Sequence, residues 1–287
     1  MTTFLNILIG GLIMGGIYAI ISMGLSMQYG VARILNVSHG EFIMVGAFLT
    51  LTLSKAGVNP LLSLALTAPP LFLIGFLLHR TAYKRLTTVT GGGGAFEGNA
   101  MLISFGIMFV IQNIALMIWG SSPQGYQFLV QSVKIGGSVF ALNRIVVMVI
   151  AVAVSIGFYL FLSRSRIGKS IRAAAQDPVA AALMGVKINR VMALCFAIGA
   201  LLAGLAGVLL SMINQINTTM GMSYTVIAII VVVLGGLGSI PGSLMGGFIL
   251  GLVGSAVGYF EPSLQLVAYY LIILVLLLVR PKGLLGR

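Results

Sequence analysis

The sequence predicts an all-α polytopic membrane protein of eight or nine spans, and three observations carry that prediction. Of the 287 residues, 59% are apolar and only 7% are charged, where ordinary soluble proteins carry about 25%. The apolar residues fall in repeated runs, most of them near the ~20 residues that one bilayer crossing needs. The chain also holds 38 glycines, and small residues are what let helices approach closely inside a membrane. A soluble domain with so few charges could not cover its own surface.

Nine apolar segments are read, at residues 5–28, 39–54, 61–79, 101–119, 145–163, 191–212, 223–237, 244–259 and 265–280. The chain opens on Met1–Asn6 without a basic region, so the first run, Phe4 to Met27, is expected to stay as a span rather than act as a cleaved leader. Asn59-Pro60 marks a tight turn, Gly91–Gly94 a flexible stretch, and Ser121-Ser122-Pro123 the start of a longer loop that ends near Arg144. The second and seventh segments are the weak ones. Gly235-Gly236-Leu237-Gly238-Ser239-Ile240-Pro241-Gly242 cuts the seventh short, and about fourteen helical residues cover only ~21 Å of a ~30 Å hydrocarbon core. A short or re-entrant helix near 223–242 is therefore expected, its irregular backbone buried among other helices.

The formal charge is +12. The charges lie in gaps between apolar runs, so they act as topology signals and not as a nucleic-acid face. With the C-terminus inside, thirteen lysines and arginines from Arg33 to Arg287 fall on the cytoplasmic side, and Lys55, Lys134 and Arg144 fall outside. Cys195 is the sole cysteine, and His39 and His79 stand apart. No intrachain disulfide, metal centre or cofactor is expected.

Two stretches carry candidate function. In Asn36-Val37-Ser38-His39-Gly40-Glu41, Ser38 and Glu41 have capping-box spacing and predict a helix start near the membrane interface. The same spacing leaves Asn36, His39 and Glu41 as candidates for a translocation path. From 164 to 190 the chain is basic. Asp177 is a good N-cap, Pro178 suits the first helical position, and Gly185 can end the helix in a left-handed conformation. One or two short helices are expected there, with Val179, Ala182, Leu183 and Val186 as an apolar patch. Asn189 is a plausible cap for the span that follows.

Gly168-Lys169-Ser170 matches the end of a phosphate-binding loop, but that motif needs glycine where Ser163 stands and a strand where a span is read. The sequence therefore excludes ATP binding by that motif, and the chain is not read as an enzyme. Small residues recur at four-residue spacing in Gly11/Gly15, in Gly199/Ala203/Gly207 and in Ser243/Gly247/Gly251/Ser255, which predicts close helix contacts. Met44–Phe48 and Met245–Phe248 resemble each other faintly. Polar groups within spans are few: Gln112, Asn113 and, near the outer end of the sixth, Asn214, Gln215 and Asn217. Ion-coupled carriers usually bury acids or histidines at mid-membrane, and apart from Glu41 none is read here. Energy for uphill transport would then enter through another subunit.

Four motifs in register resemble the branched-chain amino-acid (LIV-type) ABC importer permease family. Asn36–Phe42 is similar to its Asn-x-x-His-Gly-Glu signature. Arg172-Ala173-Ala174-Ala175-Gln176-Asp177-Pro178, with Ala181, Met184-Gly185 and Arg190, resembles its cytoplasmic coupling loop. Leu234–Gly242 and Arg280–Gly286 are also similar. The resemblance implies a single permease domain over 1–287 with a coupling loop at 164–190, in which Arg172, Ala175, Asp177, Pro178, Val179, Leu183 and Gly185 meet the ATPase. It implies a multi-pass protein of the bacterial inner membrane, in contact with lipid, with a cytoplasmic C-terminus. Its partners would be a second related permease subunit, two cytoplasmic ATPase subunits and a periplasmic substrate-binding protein. The cargo would be leucine, isoleucine and valine, or urea, amides or other small organic acids. A self-sufficient solute channel or carrier without an ATPase is the alternative.

Overall fold

A computed structural model describes residues 2–86 and 94–286. Residues 91–93 of the glycine stretch lie outside that range, and Gly94 already opens a helix. The elements are α1 (Thr2–Ala32), α2 (His39–Lys55), α3 (Pro60–Leu66), α4 (Ala68–Leu78), α5 (Gly94–Trp119), β1 (Ser132–Ile135), β2 (Ser138–Ala141), α6 (Leu142–Arg164), α7 (Arg166–Gln176), α8 (Pro178–Leu183), α9 (Ile188–Ser211), α10 (Met220–Gly235), α11 (Ile240–Phe260) and α12 (Gln265–Val279). A π-helical turn, His79–Tyr83, continues α4, so that Pro60–Leu86 makes one apolar span. Among the described residues seven spans are long and apolar enough to cross a bilayer. This is an all-α polytopic membrane protein.

The two spans expected to be weak are both short, α2 with 17 residues and α10 with 16, whereas the 15 residues of α12 are extended to 18 by a 3₁₀ turn at Pro262–Leu264. For the α10 region the structure takes the short-helix form. Neighbouring α11 is a full 21-residue span that packs along α1 from Ile7 to Ser22, so α10 and α11 do not form a re-entrant pair.

The α1–α11 seam shows how close these contacts are. A Cβ on Gly251 would sit 2.2 Å from the backbone nitrogen of Gly15, and one on Gly247 2.5 Å from that of Ala19. Ser22 Oγ–H donates to Ser243 O (3.2 Å) and Ser255 Oγ–H to Ile7 O (2.9 Å). Small residues let the backbones touch, and the serines use the approach to hydrogen-bond across it. The α9 stripe works likewise: a Cβ on Gly207 would stand 1.9 Å from Ile43 O of α2. Gly46, in the first of the two faintly similar segments, meets Gly204 of α9, and Gly247, in the second, meets α1.

The two ends of the bundle differ in charge. At one end β1 and β2 pair as a hairpin, with Gly136 (φ 56°) and Gly137 (φ 88°) at the turn. Two positive φ values there are the geometry of a type I′ turn. This stretch, expected only as loop, is thus an ordered hairpin. Lys55 lies at the same end, where its ammonium donates to Gln124 Oε1 (2.8 Å). At the other, basic end are α7, α8 and the C-terminal segment, whose Leu284 and Leu285 amides donate to Leu234 and Gly235.

Candidate functional site

The bundle centre is built where two broken spans meet. α1 ends at Ala32, Arg33 turns the chain with φ 55°, and residues 33–38 climb back into the bundle without helical structure. α2 starts only at His39. Its ring Nε2–H donates to Ile21 O (3.0 Å), two-thirds of the way along α1. The same ring lies beside Gly24, which packs on Gly199 at the middle of α9. From this level α2 runs to the hairpin end while α10 starts beside it and runs to the basic end. Each covers about 25 Å, so together they equal one long span.

Glycine makes the junction possible. A Cβ on Gly40 would fall 1.9 Å from Gly221 O, and one on Gly221 would fall 2.5 Å from Glu41 Oε1. The Gly40 amide donates to Thr225 Oγ1 (2.9 Å), which also stands 3.1 Å from Val37 O and so can return a hydrogen bond to it. The climbing segment is held on all sides. Asn36 Nδ2 donates to Gln28 Oε1 (3.3 Å), Ser38 Oγ–H (2.6 Å) and Tyr83 O–H (3.3 Å) donate to Asn36 Oδ1, and the Val37 amide donates to Ser104 Oγ (3.1 Å). Non-helical backbone at this depth persists only where protein supplies such partners.

This corrects two expectations. Ser38 makes no side-chain cap to α2; its hydroxyl goes to Asn36, so the capping box does not form. Nor do His39 and Glu41 sit at an interface. Asn36, His39 and Glu41 are each at most 1% exposed and lie at mid-bundle. Glu41 Oε2 and His39 Nδ1 have no hydrogen-bond partner, and a buried polar atom left unpaired costs roughly 1–3 kcal/mol or more. Gln28, Tyr83, Ser104, Gly221 and Thr225 complete the junction and were not singled out in the sequence. Their only signal was polarity or glycine inside apolar runs.

On the adjoining face of α10 a crevice of about 400 Å³ opens toward the hairpin end, lined by Tyr18, Asn214, Asn217, Ser223, Tyr224, Gln265 and Tyr269 among others. No charged side chain lines it. Gln265 Nε2–H donates to Tyr269 Oη (2.7 Å), whose hydroxyl lies 3.4 Å from that of Tyr18, halfway along α1. Asn214, Gln215 and Asn217, read as polar groups at a span end, all reach this crevice. Gln112 and Asn113 do not; Asn113 donates back to Phe109 O within its own helix.

At the basic end the 164–190 loop is two helices. Ser165 Oγ accepts from the Gly168 amide (2.9 Å) and starts α7. Gly168 packs so closely on Leu162 that a Cβ would stand 2.0 Å from its carbonyl, which places Gly168-Lys169-Ser170 in a helical turn and not in a phosphate-cradling loop. The Arg172 guanidinium donates to Leu162 O and to Ser163 O (3.0 Å), closing the end of α6. Asp177 Oδ1 accepts from the amides of Val179 (2.9 Å) and Ala180 (3.0 Å), with Pro178 at the first helical position. At the far end Gly185 has φ 86°. Its amide donates to Ala182 O and the Val186 amide to Ala181 O, the paired bonds of a Schellman stop.

Val179, Leu183 and Met184 project outward, 69%, 84% and 85% exposed. Val186, expected in that patch, instead packs inward against the apolar cluster that holds Leu162, Ile171 and Val191. Ala175 also faces inward, toward a cavity of about 700 Å³ that it lines with Arg33 and Arg172. Asn189 is not the cap of α9, which begins at Ile188 after Lys187.

A family model described as the branched-chain amino acid transport system / permease component matches residues 7–279. The chain belongs to that family. Among relatives of this permease family, the high-affinity branched-chain amino acid transport system permease protein BraD of Pseudomonas aeruginosa is 35% identical, over 99% of this chain and 96% of its own. The corresponding protein LivH of Escherichia coli is 30% identical over the same shares. The probable branched-chain amino acid transport permease protein LivH of Methanocaldococcus jannaschii is 27% identical, over 90% of this chain and 82% of its own. No solved structure matches.

Proposed function

We propose that this chain is one of two related permease subunits of a bacterial inner-membrane ABC importer, and that it forms the path for branched-chain amino acids. Two ATPase subunits would drive it from the basic face and a periplasmic binding protein would load it from the hairpin face. The hairpin end is then outside and the C-terminus cytoplasmic, as the thirteen-to-three bias of lysine and arginine favours. Val179, Leu183 and Met184 carry the reading. These three apolar side chains stand clear of the protein on a helix stopped at both ends, between two spans and surrounded by basic residues. Such a patch outside the bilayer calls for a partner to cover it. Asp177, Pro178 and Gly185 shape that helix, while Arg172 and Ala175 tie it to the bundle. Asn36, His39 and Glu41 would form the closed middle of the path, entered from the crevice.

The test is reconstitution. Vesicles holding this chain, its permease partner and the ATPase should take up leucine only with ATP and the binding protein. Uptake without the ATPase would identify a self-sufficient carrier and overturn the reading. In a background where Cys195 is replaced by alanine, cysteines placed singly at Lys169 and Lys134 should report the orientation. An impermeant thiol reagent on intact cells should reach only the second, and labelling of the first would reverse the topology.

A further inference from the structure

Glu41 is a carboxyl group at the middle of a membrane bundle, 1% exposed, whose Oε2 has no hydrogen-bond partner among the described residues. A group of this kind is expensive to keep in a membrane and is a functional candidate by default. What encloses it is thin. Gly221, in the first turn of α10, lies against both carboxylate oxygens. Met220 and Ser223 of the same turn, and Tyr224 just after it, face the crevice. One turn of helix therefore separates an uncharged polar crevice from an unpaired acid. That turn has no side-chain cap, and the chain enters it through the non-helical residues 212–219.

We propose that Glu41 receives the ammonium group of the transported amino acid, and that the first turn of α10, Met220–Ser223, is the partition that moves to admit it. The crevice offers hydroxyl and amide groups suited to a small polar solute but no charge to hold one tightly. Glu41 supplies the single charge-assisted contact, at the point where the solute has lost most of its water. Gly40 and Gly221 keep the partition at backbone contact, which leaves the carboxyl covered when no solute is present. The inference rests on the permease reading above and names the chemical group recognised within it.

A hydrophobic carbodiimide, which attacks carboxyl groups in apolar surroundings, tests this on the unmodified complete transporter. The chain has four acidic residues, and the other three, Glu97, Asp177 and Glu261, are exposed and serve as internal references. During ATP turnover, mass spectrometry should find Glu41 modified. Leucine with the binding protein should lower that modification at least fivefold, whereas 4-methylpentanoate, which lacks the amino group, should not. Failure to modify Glu41 in any state, or modification that leucine leaves unchanged, overturns the proposal. Glu41→Gln should lower leucine uptake at least tenfold, and uptake at the wild-type rate would also overturn it. If that variant does not assemble, the labelling experiment decides alone. Should the unmodified complex fail to carry leucine at all, the permease reading falls first and takes this inference with it. If the complex carries leucine and only Glu41 is indifferent, the inference falls by itself.

Discussion

Two helix starts, those of α2 and α8, carry similar polar signals in the sequence and are built differently in the structure. Asp177-Pro178 starts α8 by local rules: the carboxylate takes two amides of the first turn and proline takes the first helical place. Ser38 before α2 has the spacing of an equally local cap, yet its hydroxyl turns to Asn36, and the Gly40 amide is satisfied by Thr225, 185 residues away in sequence. The difference follows from what surrounds each start. On the exposed α8 loop only nearby residues compete with water for the first amides. Inside the bundle the backbone amides must find protein partners, so distant groups outbid the neighbour in sequence.

The largest effect expected from that contrast falls on two glycines. At Gly185 the glycine supplies a positive φ in open space, and at Gly40 it supplies room against Gly221 O. Gly185→Ala should cost about 1 kcal/mol, the usual penalty for a left-handed non-glycine residue. Gly40→Ala must push α2 and α10 apart and should cost at least about 3 kcal/mol, at the upper end of overpacking penalties. Thermal unfolding of the detergent-purified chain should rank them in that order. Equal losses would mean that the α2–α10 junction yields easily and is not the tight contact described above.

Leu183→Asp sharpens the comparison from the other side. Leu183 is 84% exposed, so the change should leave the melting temperature of the isolated chain within about 1 °C, since exposed substitutions rarely shift stability by more than ~0.5 kcal/mol. In the complex the aspartate would be buried without a partner, commonly a loss of several kcal/mol. Copurification of the ATPase should fall at least tenfold. Wild-type yield and normal transport would make residues 177–185 a solvated connector.

These contrasts also set what the sequence could reveal. Every apolar run became a helix, because a bilayer leaves backbone few other ways to satisfy its hydrogen bonds. The caps Asp177, Pro178 and Gly185 were legible because their partners lie within a few residues. The hairpin was legible in principle, with Gly136-Gly137 between Val133-Lys134-Ile135 and Val139-Phe140, but strands of four residues are easily passed over beside long spans. The central junction was not legible. That α2 would start level with Ile21, and that Gly221 would cover Glu41, depends on how four helices pack, and no local pattern encodes it. The crevice was half legible: Asn214, Gln215 and Asn217 stood out as polar groups at a span end, while Tyr18 and Tyr269 read as ordinary apolar-run residues.

Asp177→Ala removes a cap whose partners are all local. It should cost about 1 kcal/mol of local helix stability and increase amide hydrogen exchange across 178–184 by about fivefold, leaving α7 and α9 protected as before. Exchange spreading into α9 would mean that α8 is braced by the bundle and not by its own cap.

The smallest effect is the most discriminating, because it asks whether the sequence motif or the structure describes Ser38. If Ser38 and Glu41 formed a capping box, each would hold the other's backbone amide, and removing both would cost less than the sum of the single losses. In the structure Ser38 spends its hydroxyl on Asn36 Oδ1 at 2.6 Å, and Glu41 makes no bond to it. A double-mutant cycle separates the two, since residues in one hydrogen-bond network couple by about 0.5–3 kcal/mol. Ser38→Ala with Asn36→Ala should therefore show a coupling of at least about 0.5 kcal/mol in thermal unfolding of the purified chain. Ser38→Ala with Glu41→Gln should be additive within error. The reverse result would restore the capping box, give Glu41 a structural partner, and remove the unpaired acid on which the proposed recognition of the ammonium group rests.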